Sequence, residues 1–66
     1  MKTYFINVDF DGPGFSKFAF AVIKADLNEK RLIDIAKTTI SGHCEKLNVN
    51  VDEVVINVTA FNEISV

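Results

Sequence analysis

The sequence predicts a small α+β domain of ββαβ order: a three-stranded mixed or antiparallel sheet with one long helix packed on one face. Three observations predict it. Apolar residues alternate with period two in three separate segments, the pattern of half-buried strands. A turn-forming run, DFDGPG, separates the first two segments. The only stripe of helical period lies between the second and third, so one helix must be laid against a sheet.

Taken in order, the first two strands form a hairpin over residues 3–24. In the first, Tyr4, Ile6, Val8 and Phe10 point one way, and Thr3, Phe5, Asn7 and Asp9 the other. In the second, Phe18, Phe20 and Val22 share a face opposite Lys17, Ala19, Ala21 and Ile23. Gly12-Pro13-Gly14-Phe15 fits a type II turn, with proline presetting a negative φ and Gly14 supplying a positive one.

A helix over about 27–47 follows. Asp26 with Glu29 three residues on has the form of a capping box. Leu32, Ile33, Ala36, Ile40, Cys44 and Leu47 fall in one stripe. Asn48 is a natural stop, since asparagine tolerates the left-handed conformation. Gly42 weakens the interior and predicts either a bend or a close backbone approach. Asp52 and Glu53 then lead into a third strand over about 53–61, which Phe61-Asn62-Glu63 is expected to break, leaving residues 64–66 as a tail or a short extra pairing. Because the helix links strands two and three, these two should run parallel, with strand three beside either of the others.

Size and composition narrow the function classes. Sixty-six residues make one domain at most. Such a domain buries only about 60% of its unfolded surface, so it needs staples, very good packing or a partner. One cysteine excludes an internal disulfide, and Cys44 with His43 falls short of a zinc ligand set. A net charge of −2 lacks the basic excess of a duplex-DNA binder. No run approaches the roughly 18 apolar residues of a membrane span, and no signal peptide is read at the N-terminus. The expected location is the cytoplasm.

The motifs that resemble chemistry each have a simpler explanation. Asp9 and Asp11 begin a D-x-D pattern, but a calcium loop of the EF-hand type needs ligands where Pro13 and Phe20 stand. The glycines precede no GK[ST] and no helix N-terminus, so they form no phosphate loop. His43 and Cys44, as helix neighbours, point about 100° apart and cannot act as a nucleophile–base pair. No two acids are placed in a shared cleft for acid–base work. The Asn57-Val58-Thr59 sequon is a chance match. Neither a catalytic residue nor a metal site is expected, and no cofactor or small-molecule substrate.

What remains is surface. One helix covers one face of a three-stranded sheet, and both faces are substantially apolar. With Ile6, Val8, Phe20, Val22, Ile56 and Val58 taken as the face that meets the helix, the other carries Phe5, Ala19, Ala21, Ile23, Val55 and Phe61. Apolar patches of this kind mark association sites. The expectation is a non-enzymatic protein-interaction module (a regulator, inhibitor or small assembly subunit) using Phe5, Ile23, Val55 and Phe61, with a second copy as the most economical partner. A tail folded over that face is the competing explanation. The alternative function is single-stranded nucleic-acid binding. Lys17-Phe18-Ala19-Phe20 superficially resembles the RNP1 strand of RNA-recognition motifs, and Tyr4, Lys17, Phe18 and Phe20 would serve it. The missing glycine and second helix disfavour it.

Overall fold

The computed structural model describes residues 2–64. Strand β1 spans Lys2–Gly12, β2 Phe15–Ala25 and β3 Val55–Glu63; helix α1 spans Leu32–Lys46, between β2 and β3 in the chain. The sheet order is β2-β1-β3, antiparallel at both junctions. β2 and β3 therefore run parallel to one another, as expected, with β1 between them. The α+β fold class read from the sequence is the observed one.

A two-residue loop, Pro13-Gly14, joins β1 to β2, and the ladder closes at Gly12 opposite Phe15. Gly14 has φ +81°, the value a type II turn demands at its third residue. At Gly12 a Cβ would stand 2.5 Å from the Phe15 ring, so glycine lets that ring fold over the turn. From there Phe15 meets Phe10 edge-on, with ring centroids 6.1 Å apart.

The turn also decides which residues share a face. Pairing Gly12 with Phe15 sets Ile6 opposite Ala21 and Val8 opposite Ala19, while Phe5 faces Val22 and Asn7 faces Phe20. The expectation that Phe20 and Val22 join Ile6 and Val8 is thus overturned. Directly opposed residues lie on one face of a sheet, so Phe20 and Val22 go with Phe5. The helix side instead carries Tyr4, Ile6, Val8 and Phe10 from β1, Phe15, Ala19, Ala21 and Ile23 from β2, and Ile56, Val58 and Phe61 from β3. Ile6, Val8, Phe10, Ala36 and Ile40 are fully buried there. Tyr4 stacks on Phe61, with centroids 4.8 Å apart.

α1 begins five residues later than its sequence pattern indicates. Asp26 does cap, but it caps a single turn: its carboxylate accepts from the Asn28 N–H at 3.0 Å, and its carbonyl from Glu29 and Lys30. Arg31 then returns to extended geometry and precedes the helix without a side-chain cap. The buried stripe is Ile35, Ala36, Ile40 and Cys44; Leu32 and Ile33, expected in it, are partly exposed. The C-terminus matches its signal. Asn48 has φ +57°, its N–H donates to the Glu45 carbonyl, and the Val49 N–H donates to the Cys44 carbonyl. That pair of bonds is a Schellman motif.

Gly42 lies within the continuous helix, where a Cβ would meet nothing within 4 Å. No close backbone approach requires it. Gly42→Ala should therefore raise stability by about 0.5–1 kcal/mol, read as a higher melting temperature with unchanged folded spectra.

β3 runs through Phe61 and Asn62 to Glu63 without breaking there. Its irregularity lies earlier, where a bulge near Thr59 interrupts the register against Asn7 and Val8. The Asn7 side-chain amide donates to Thr59 Oγ1 at 2.6 Å, and the Thr59 hydroxyl faces the Asn7 carbonyl at 3.2 Å. Ile64 continues the pairing by donating to the Thr3 carbonyl at 2.8 Å. The remainder of the tail lies outside the described residues. Ahead of β3, Val51–Glu53 form a 3-10 turn capped by Asn50 and tied to the helix by Lys37–Asp52 at 3.2 Å.

Candidate interaction surface

α1 covers one face of the sheet, and among the described residues no element covers the other. On the open face β1 presents Thr3, Phe5, Asn7, Asp9 and Asp11; β2 presents Ser16, Phe18, Phe20, Val22 and Lys24. β3 adds Val55, Asn57, Ala60 and Asn62. Phe18, Phe20 and Val22 are 65%, 66% and 63% exposed, and Val55 of β3 is 68% exposed. Phe5 is half-buried, its ring 6.3 Å from that of Phe20.

This apolarity is not spread evenly. The β3 half of the face is polar, with Asn57, Thr59 and Asn62, and Val55 stands at its far corner opposite Asp11. Phe5, Phe18, Phe20 and Val22 instead form one patch running along β2, which is an edge strand. A phenylalanine presents about 150–250 Å² when fully exposed, so Phe18 and Phe20 together leave roughly 200–300 Å² in water. At ~25 cal/mol per Å², roughly 5–7 kcal/mol of burial is left unused by folding, before any cost of association.

The residues singled out in the sequence divide between the two faces. Phe5 and Val55 lie on the open face; Ile23 and Phe61 lie on the helix side, Phe61 against Tyr4. Tyr4 is buried and Lys17 is on the helix side, whereas Phe18 and Phe20 are on the open face. Val22 belongs to the patch although its sequence context gives it no prominence. The signal that would have found it is the turn itself, through the pairing it imposes.

Elsewhere the surface is chemically quiet. Cys44 is buried in the stripe of α1, and burial pushes its thiol pKa up, away from the thiolate form that nucleophilic chemistry needs. His43 is exposed, with its ring centroid 6.1 Å from that of Phe10. Among the described residues, no group of three His, Cys, Asp or Glu side chains could hold a metal ion, and no helix is long and apolar enough to cross a membrane. Compared with protein-family models, with curated proteins and with solved structures, the chain matches none.

Proposed function

We propose that this chain is a cytoplasmic, non-enzymatic protein-interaction module whose working surface is the open sheet face beside β2. The observation that carries the reading is the exposure of Phe18, Phe20 and Val22 in one row, with Phe5 behind them. Aromatic rings concentrated in one patch are the usual anchors of protein interfaces. The polar half of the face supplies the hydrophilic border such an interface needs. The role is that of a regulator, an inhibitor or a small subunit.

A double Phe18→Ser/Phe20→Ser variant tests it. Both side chains are solvent-exposed, so the variant should melt close to the wild type. Affinity capture from the native host, quantified by mass spectrometry, should show specific partners retained by the wild type and lost by the variant. Identical partner lists for the two proteins would overturn the reading.

Phe18 and Phe20 two residues apart on an exposed strand also favour a second reading, in which single-stranded nucleic acid stacks on the rings. Asp9 and Asp11 on the same face oppose it, and Lys24, the cation that β2 adds to that face, lies at its other end opposite Thr3. A fluorescence titration with a single-stranded oligonucleotide at two salt concentrations separates the two, because only this reading requires salt-sensitive binding.

A further inference from the structure

We propose that a second copy of the chain pairs antiparallel along β2, with Phe20 opposite the partner's Phe20, to make a continuous six-stranded sheet. The inference goes beyond the reading of the open face: it concerns the β2 edge that carries the Phe18–Phe20–Val22 row, and it specifies that edge's occupant and register.

The two sheet edges are not equivalent. β3 carries the bulge near Thr59, and a bulged, twisted edge resists further pairing. β2 pairs regularly with β1 over eleven residues and contains no proline. From Phe18 to Ile23 it contains no charge either, so the usual protections of an edge are missing there.

The direction of its backbone groups follows from the ladder. The Thr3 carbonyl is used by Ile64, on the β3 side. Odd-numbered residues of β1 therefore turn their backbone groups toward β3, and even-numbered ones toward β2. Since even residues of β1 oppose odd residues of β2, the N–H and C=O groups of Ser16, Phe18, Phe20, Val22 and Lys24 point outward. An added strand would pair with those five residues.

Self-pairing about Phe20 is the one register that engages all eleven residues of β2, and it sets outward-bonding residues opposite outward-bonding residues throughout. It sets Phe18 opposite the partner's Val22, an aromatic–β-branched pair on the open face, and Ala19 opposite the partner's Ala21 on the helix side. No lysine opposes a lysine. Lys24 falls opposite the partner's Ser16, whose hydroxyl already donates to the neighbouring Asp11 carboxylate. Lys17 falls opposite the partner's Ile23, which lines a groove of about 550 Å³ between β2 and α1 together with Lys24, Lys30 and an Asp34 already paired with Arg31 at 3.6 Å. Lys17 and Lys24 take part in none of the ion pairs among the described residues. The register thus brings Lys24 toward the Asp11 carboxylate of the other copy, twice over by symmetry.

Sedimentation or light scattering of the purified protein should give twice the 7.4 kDa chain mass. Val22→Pro removes an outward N–H and none used within the protomer, so it should keep the folded spectrum and fall to the monomer mass. Amide exchange in the wild type gives an independent reading that needs no variant. The Phe18, Phe20 and Val22 amides should be protected, and their protection should fall on dilution. A monomeric wild type overturns the inference, as does a dimer that survives Val22→Pro or leaves those three amides unprotected. None of these outcomes touches the broader reading of the open face, which stands or falls with the Phe18→Ser/Phe20→Ser capture.

Discussion

Phe10→Ala is expected to remove a large share of the chain's stability. Phe10 is fully buried and has the largest side chain among the fully buried residues. It joins three parts of the fold: its own central strand, the Phe15 ring from across the turn, and the His43 ring near the end of α1. Removing such a ring costs about 3–5 kcal/mol, the lost transfer free energy plus that of the cavity left behind. At about 0.05–0.15 kcal/mol per residue, a chain of this length has a total stability of roughly 3–10 kcal/mol. One substitution therefore removes about a third of it at the upper end of that range and all of it at the lower end. Urea titration followed by circular dichroism should show the native baseline lost or strongly shortened. Phe10→Leu, which refills much of the volume, should recover a cooperative transition. A Phe10→Ala protein with a midpoint near the wild type would mean that the core does not depend on this ring.

That dependence explains why some of this fold was legible in the sequence and some was not. Local signals read correctly wherever the structure satisfies them locally. The Gly12–Phe15 turn needs only a proline and a residue at positive φ, and Gly14 supplies the latter. The helix end needs only a residue that tolerates the left-handed region, which Asn48 does. The Asp26 capping pattern is an instructive case: the side chain makes its local bond, yet the helix starts beyond it, because a single turn uses the same signal. Extended geometry at Arg31 then separates the two.

The face assignment failed for a different reason. Periodicity finds the two faces of each strand separately, but it cannot join a face of one strand to a face of the next. The turn does that. A two-residue loop closing at Gly12 and Phe15 pairs even residues of β1 with odd residues of β2 throughout. Carried through, that parity puts the alanines of β2 under the helix and Phe18 and Phe20 in solvent. It runs against the ordinary preference for burying large apolar residues. A sequence that places Ala19, Ala21 and Ala25 inside and Phe18 and Phe20 outside departs from hydrophobic patterning at one surface, where a partner would restore it. The bulge at Thr59 depends on tertiary pairing, and the strand sequence alone carries no mark of it.

Cys44 carries the second large expectation. It is 1% exposed, lies in the buried stripe of α1, and holds its thiol among apolar neighbours. Cys44→Ser should cost about 1–3 kcal/mol, because a serine hydroxyl is a stronger polar group that arrives there at the expense of its hydration. Cys44→Ala should cost less than its loss of volume suggests if packing relaxes, so the serine–alanine difference isolates the polar penalty. The raised thiol pKa gives a pH dependence of definite sign. A group whose folded pKa lies above its unfolded value contributes its full stability below the unfolded pKa. The unfolded chain's thiol ionises first as the pH rises through about 8.5–9, so the folded state loses stability from there upward. Urea midpoints should therefore fall between neutral and mildly alkaline pH in the wild type by more than in Cys44→Ala, where the thiol is absent. Equal alkaline slopes in the two proteins would show that Cys44 is not the group responsible. Thiol modification offers the matching kinetic test: a buried, protonated Cys44 should react with a neutral alkylating reagent only as fast as the structure opens.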